Sequence, residues 1–389
     1  MIRKLYLLLS VFLTIETIKC QSPCTVSNSD EAQGLMATCS GIMSIAELTG
    51  LGSWQHLRVR DSDRLQIRVG DFGRSAGLQV LDLSENQISH VPDMSISSVR
   101  GLQILILNDN RLSLIPALVP RSLRILKAAR NNIVRIQDNN FSEMPNLQVL
   151  DLSGNQIQEL GSETFAGLTS LSELYLGNNQ IGRVTPLTFR YMPALTTLDL
   201  SGNMLSIVSM GAFTYTSRIL QNLNISHNYL SVLQSNSFST LNNLQTLDLS
   251  YNRLTILPGD SLSGLNSLRI LDISNNFIQF IPAQLLDSAQ YIEDLRFAFN
   301  RLTYWPLNSR NYWVYLKSVT MEGNPWQCYC LHQILVFLYS KKVDFNKDLY
   351  FTGQKPVCVI TDVNYCVRDM RVLAKTQIVP VYEEKHPRT

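Results

Sequence analysis

Leu147-Gln148-Val149-Leu150-Asp151-Leu152-Ser153-Gly154-Asn155-Gln156-Ile157 is the stretch that decides the fold. Its apolar residues follow a fixed order: leucine, two residues, leucine, one residue, leucine, two residues, asparagine. Leu150 and Leu152 alternate as a short strand does when one face points inward. Asn155 has a different task. A side-chain amide donates and accepts at once, so a stacked column of such residues satisfies backbone groups that a tight turn after each strand would bury unpaired.

The pattern recurs on both sides. Before it stand Leu78-Leu81-Leu83-Asn86-Ile88, Leu102-Leu105-Leu107-Asn110-Leu112 and Leu123-Leu126-Ala128-Asn131-Ile133. After it come copies closing on Asn179, Asn203, Asn228, Asn252, Asn276, Asn300 and Asn324. Trp54-Leu57-Val59, with Ser62 in the place of asparagine, reads as a degenerate first coil. Between the motifs, Phe141, Phe165, Phe189, Phe213 and Phe238 hold matching positions that Leu262 and Leu285 take over later, a second apolar column inside the convex side. No single coil can bury its own apolar face, so stability must come from stacking, and both ends of the stack need caps.

The termini supply material for those caps. Met1-Ile2-Arg3-Lys4 and the apolar run Leu5 to Leu13 read as a signal peptide over residues 1–20, too short to span a bilayer. No later segment has the roughly 20 apolar residues of a membrane helix, and residues 367–389 form a polar tail. Removing Arg3, Lys4, Lys19 and Glu16 from 33 basic and 31 acidic residues leaves 30 of each. That balance argues against nucleic acid or an anionic membrane as the main partner. Of seven cysteines, Cys24, Cys39, Cys328, Cys330, Cys358 and Cys366 remain, clustered at the two ends. In an oxidising compartment they read as staples; the rival is a metal site at Cys328-Tyr329-Cys330.

The motifs resemble the extracellular leucine-rich-repeat family. The resemblance implies an α/β-type solenoid, a horseshoe with short parallel strands on its concave face and disulfide-bonded caps at both ends. Asn324-Pro325-Trp326-Gln327-Cys328-Tyr329-Cys330, the helix-like stretch Ile334 to Leu338, then Cys358 and Cys366 are similar to that family's C-terminal cap. Carried over, its pairing gives Cys328–Cys358 and Cys330–Cys366. Cys24 and Cys39 would close an N-terminal cap that has two cysteines where the family usually has four. The implied division is an N-terminal cap over 21–53, repeats over 54–323 in about 11–12 coils, and a C-terminal cap over 324–366. Lys355-Pro356-Val357-Cys358-Val359-Ile360 is similar to insect secreted members, among them the coil-less leucine-rich immune proteins of mosquitoes.

Enzyme chemistry finds no support in the motifs. There is no phosphate-binding loop, His-Glu-x-x-His or nucleophile elbow, and His56, His90, His227, His332 and His386 are scattered. No catalytic residue, cofactor or metal ligand is expected. His227 reads as an exposed turn residue. Asp82, Asp151, Asp199, Asp248 and Asp272 occupy one strand position and would stack along the concave face, serving the repeat itself or offering a stripe to a cationic partner.

Function in solenoids lies on the outward strand positions. Those expected to form the binding face are Ile106, Lys127, Arg130, Tyr175, Asp199, Asp248, Arg296 and Phe299, with Ile106, Tyr175 and Phe299 as exposed anchors. Asn140-Phe141-Ser142 and Asn224-Ile225-Ser226 are acceptor sequences for N-glycans. The expected function is secreted, non-enzymatic recognition, in innate immunity by the insect-like wording. A developmental or adhesion ligand of the extracellular matrix is the alternative. Partners would be extracellular proteins or microbial surface components, and pairing through the solenoid stays open.

Overall fold

The computed structural model describes residues 24–29, 34–117, 120–216, 218–288, 290–306, 314–347, 358–359 and 366. The leader expected over 1–20 and the tail over 367–389 lie outside them. The strands are β1 (Cys24–Ser29), β2 (Gly34–Ser40), β3 (His56–Arg60), β4 (Val80–Asp82), β5 (Ile104–Ile106), β6 (Ile125–Lys127) and β7 (Val149–Asp151). They continue as β8 (Glu173–Tyr175), β9 (Thr197–Asp199), β10 (Asn222–Asn224), β11 (Thr246–Asp248), β12 (Ile270–Asp272), β13 (Asp294–Arg296) and β14 (Ser318–Thr320). All 14 lie in one sheet in sequence order. β1 and β2 are antiparallel, and every later pairing is parallel. Two α-helices, α1 (Ala283–Ser288) and α2 (Cys328–Ser340), complete the described regular structure together with two short 3₁₀ turns. Elsewhere the convex side is built of turns.

The repeat explains each coil. Leu147, Leu150, Leu152 and Ile157 are all fully buried, and the residues flanking the central leucine of β7 face outward. Each such leucine removed from water is worth about 1.5–3 kcal/mol. That gain exists only between neighbouring coils. Register partners lie one coil apart, Leu126 against Leu150 for example. The pairing of Leu105 with Leu126 marks a shorter coil, and that of Leu198 with Leu223 a longer one, where a 3₁₀ turn at Thr214–Thr216 takes up slack.

Asparagine closes each turn across two coils. Asn155 Nδ2 donates to the Ala128 carbonyl in the preceding coil at 3.0 Å and to its own coil's Leu152 carbonyl at 2.9 Å. Its Oδ1 accepts from the N–H of Ile133 at 3.1 Å. The same arrangement recurs to Asn324, whose amide reaches Phe297 and Met321 and accepts from Leu302. At the degenerate coil, Ser62 N–H donates to Asn86 Oδ1, and the Ser62 hydroxyl accepts from the N–H of Ile42 in the cap. On the convex side Phe141, Phe165, Phe189, Phe213 and Phe238 stack with ring centroids 6.0–6.4 Å apart. Leu262 and Leu285 are buried further along the chain.

Both ends are covered. Cys24 faces Cys39 in register across the β1–β2 hairpin, and the two are disulfide-bonded. Ile42, Ile45 and Trp54 are buried with them. At the other end Trp326 is buried, its Nε1 donating to the Met321 carbonyl at 3.0 Å. Asp344 lies against Ser318 of β14, and the Val319 N–H donates to the Asp344 carbonyl, so the last strand has no open edge there. Disulfides join Cys328 to Cys358 and Cys330 to Cys366.

Candidate binding face

The parallel register sorts the concave residues into ladders. The third strand position runs Arg58, Asp82, Ile106, Lys127, Asp151, Tyr175, Asp199, Asn224, Asp248, Asp272, Arg296, Thr320. Six of the eight expected face residues therefore share one ladder. Arg130 and Phe299 do not. They stand three residues beyond β6 and β13, in left-handed turns with φ of 52° and 53°, on the edge of the solenoid. The reason is the turn before each asparagine, which takes positive φ in every coil from Asp61 to Gly323.

Asp82 also departs from expectation. It is 2 % exposed and bound by Arg58 at 2.8 Å, so it adds no open charge. Ile106 and Tyr175 are half-buried, and Phe299 is exposed.

The aspartates have a structural use. One oxygen of Asp151 accepts from both the N–H and the hydroxyl of Ser153, at 3.0 and 2.7 Å. Asp199, Asp248 and Asp272 accept from the N–H groups of Ser201, Ser250 and Ser274, each at 2.9 Å. Asn224 does the same with Ser226 at 2.9 Å. The aspartate–leucine–serine phrase is thus a turn closed by a side chain. The second carboxylate oxygen is left to the face. Asp151, Asp199 and Asp248 have no cation within 4.0 Å among the described residues, whereas Asp272 has Arg296 at 3.9 Å.

A shallow depression of about 360 Å³ lies at the centre, lined by Ile125, Lys127, Val149, Asp151, Ser153, Glu173, Tyr175 and Asp199. Tyr175 donates to Glu173 at 2.8 Å. Burial, that bond and the carboxylates of Glu173, Asp151 and Asp199 push its phenol up to about 12. The Tyr175 hydroxyl therefore stays a donor at neutral pH. Lys127 sits opposite Asp151 in register without closing an ion pair. Toward the N-terminal coils the first strand position is apolar, with Val80, Ile104, Ile125 and Val149 in succession. Ile125 and Val149 are missed when only conspicuous residues are chosen from the sequence; pairing the first and third strand positions finds them. The face thus has an apolar half leading into an acidic centre.

Among the described residues no group of three His, Cys, Asp or Glu side chains is placed to hold a metal ion. No helix among them is long and apolar enough to cross a membrane. Asn140 is half-buried, with Nδ2 enclosed and without a hydrogen-bond partner. Asn224 stands on the concave face between Asp199 and Asp248.

The family described as leucine rich repeat matches residues 55–112, 121–181, 170–219 and 218–278. No curated protein matches the chain. Among solved structures it is similar to the Drosophila Toll–Spatzle complex, at TM-score 0.65 and 20 % identity over 79 % of this chain and 46 % of that one. It therefore spans less than half of that neighbour. The leucine-rich-repeat domain of APL1 is similar at TM-score 0.59 and 22 % identity, covering 83 % of this chain and 89 % of the other. An internalin from Listeria monocytogenes matches at TM-score 0.60 and 16 % identity, over 85 % and 87 %. At these identities the likeness is one of fold.

Proposed function

The chain belongs to the leucine-rich-repeat family, and on that premise we propose that it is a secreted recognition protein that holds an extracellular partner on its concave face. The observation that carries the proposal is the acidic centre at Asp151, Glu173 and Asp199, extended by Asp248, where Lys127 is the one cation lining the depression and none of the four carboxylates closes an ion pair among the described residues. Tyr175 and Asn224 space Asp151, Asp199 and Asp248 along the ladder, which spreads negative charge over one face and leaves no two of these aspartates directly opposed. A partner presenting lysine or arginine would complement that charge, while Val149, Ile125 and Ile104 supply apolar contact beside it. Secretion through a leader over residues 1–20 agrees with disulfides at both ends.

Within that reading the role is innate immune recognition of a protein or a microbial surface component. It is supported by the insect-like wording around Cys358 and by neighbours such as Toll, solved with Spatzle as a hub of development and innate immunity. That same description supports the alternative, a developmental or adhesive ligand. The test is a pull-down of the tagged protein from native body fluid, before and after microbial challenge. Enrichment of immune proteins or microbial material only after challenge supports immunity. A receptor or matrix partner recovered regardless of challenge moves the role to signalling or adhesion, and recovery of neither overturns the recognition proposal.

A further inference from the structure

A second surface lies on the edge of the solenoid, away from the acidic ladder, beside the buried asparagines of four consecutive coils. Asn228, Asn252, Asn276 and Asn300 are buried, which turns the residues on either side of each toward solvent. On the far side of the asparagines stand Tyr229, Arg253, Phe277 and Arg301, an alternation of ring and cation. The backbone keeps them in one column, since the N–H groups of Arg253, Phe277 and Arg301 donate to Leu230, Leu254 and Ile278 of the preceding coil. The Arg253 guanidinium lies over the Tyr229 ring at 4.4 Å, and that of Arg301 over Phe277 at 4.6 Å.

A third stacked arginine, Arg190 over Tyr191, is paired with Glu163. Arg253 and Arg301 have no carboxylate within 4.0 Å among the described residues, and both are exposed. A guanidinium held over a ring loses less freedom on binding than one free in solvent.

The near side carries an independent sign. Its position is the left-handed turn, which Gly154, Gly202 and Gly323 fill without strain. His227, Tyr251 and Phe299 occupy it with φ of 52°, 52° and 53°, a region in which a side chain's Cβ crowds the backbone. His227 and Tyr251 stack face to face at 4.2 Å, and the Phe299 ring lies over Gly323. Tyr251, Tyr229 and Phe299 are exposed. Large exposed rings kept in strained turns mark a used surface.

We infer that this edge is a docking surface for an acidic segment of a partner protein, its carboxylates gripped by Arg253 and Arg301 and its apolar side chains laid on Tyr251 and Phe299. Aromatic and arginine side chains are those that dominate protein interfaces, and a bidentate fork favours carboxylate geometry. The surface is independent of the concave proposal.

The test uses the full chain and a labelled peptide of alternating glutamate and tyrosine, read by fluorescence anisotropy. The expected result is saturable binding that falls on the order of tenfold in the double variant Arg253→Gln, Arg301→Gln. The glutamine–tyrosine counterpart peptide should bind no better than that variant does. Arg253→Lys should fall part of the way, because charge is kept and the fork is lost, while Arg183→Gln, an exposed arginine elsewhere, should change nothing. Both sites are exposed, so circular dichroism should show each variant folded. Absence of peptide binding, equal binding by the double variant, or tighter arginine-dependent binding of a heparin-derived oligosaccharide would each overturn the proposal.

Discussion

The side-chain amide of Asn179 donates to the carbonyl oxygen of Leu152, one coil back, at 3.0 Å, and its Oδ1 accepts from the N–H of Ile157 at 3.0 Å. It also donates to Leu176 of its own coil at 3.0 Å. Asn179→Leu would leave the Ile157 N–H buried and unpaired, while the carbonyls of Leu152 and Leu176 keep one donor each, from Asn155 and Asn203. The expected loss is about 1–3 kcal/mol, the cost of one buried group without a partner, seen as a lower midpoint in urea unfolding. Asn179→Ser should cost less, because Ser62 already closes the first coil with a hydroxyl.

Phe189 sits third of seven in the convex column, between Phe165 and Phe213, with centroids 6.4 and 6.0 Å away. Phe189→Ala opens a cavity that neighbouring rings on a regular backbone cannot close, so about 3–5 kcal/mol is expected. Phe189→Leu keeps an apolar branch of the kind that Leu262 and Leu285 supply at the same position, and about 1–2 kcal/mol is expected. Thermal unfolding of both variants checks the order; an equal loss would mean that the stacking of rings itself holds the column.

Most of the fold was legible because it depends on one-dimensional facts: which residues recur, at what spacing, and which can bond twice. Leu150, Leu152 and Asn155 declare strand, face and turn together. The ladder at the third strand position was legible for the same reason, and it holds Ile106, Lys127, Tyr175, Asp199, Asp248 and Arg296 in register. Arg130 and Phe299 were misplaced because alternation was carried past the end of the strand, where the left-handed turn breaks it. The burial of Asp82 needed Arg58, a coil away. The stacking of Arg253 on Tyr229 is likewise a contact between coils, and a repeat pattern shows that two such residues align without showing what they do to each other.

Two carboxylates give opposite pH behaviour. Asp109 is held below its ordinary value of 3.8, chiefly by the hydrogen bond from Arg130 at 2.5 Å. Its folded pKa lies below the unfolded one, so its contribution is present above 3.8 and lost as the pH falls through the lowered value. Asp272 is raised above 3.8, chiefly by burial. Its contribution is present below 3.8 and lost as the pH rises through the raised value. Asp109→Asn should therefore be less stable than the parent at neutral pH, with the gap closing on acidification. Asp272→Asn should be the more stable at neutral pH, since Asn224 shows that an amide closes the same turn. Unfolding midpoints from neutral to acidic pH check both signs.

Glycan attachment should distinguish the two acceptor sequences. Attachment uses Nδ2, which is enclosed at Asn140, while Asn224 engages Ser226 through Oδ1. Expressed through a glycosylating secretory pathway, the protein should lose its endoglycosidase-sensitive mass on Asn224→Gln and keep it on Asn140→Gln. A glycan at Asn224 would rise between Asp199 and Asp248 and confine a partner to the coils on either side.

The acidic centre can be tested without disturbing the fold, because one oxygen of each aspartate closes a turn and the other faces outward. In the triple variant Asp151→Asn, Asp199→Asn, Asp248→Asn, each Oδ1 can still accept from the serine N–H, as Asn224 does at 2.9 Å. Stability should be close to that of the parent. Capture of the concave-face partner should fall on the order of tenfold at physiological salt, and the parent's own binding should weaken as salt rises, since exposed charges are screened over about 8–10 Å. Surface plasmon resonance across a salt series reads both effects. A triple variant that binds like the parent at every salt concentration would remove the charge argument and leave the apolar half, Ile104 to Val149, as the part of the face that holds the partner.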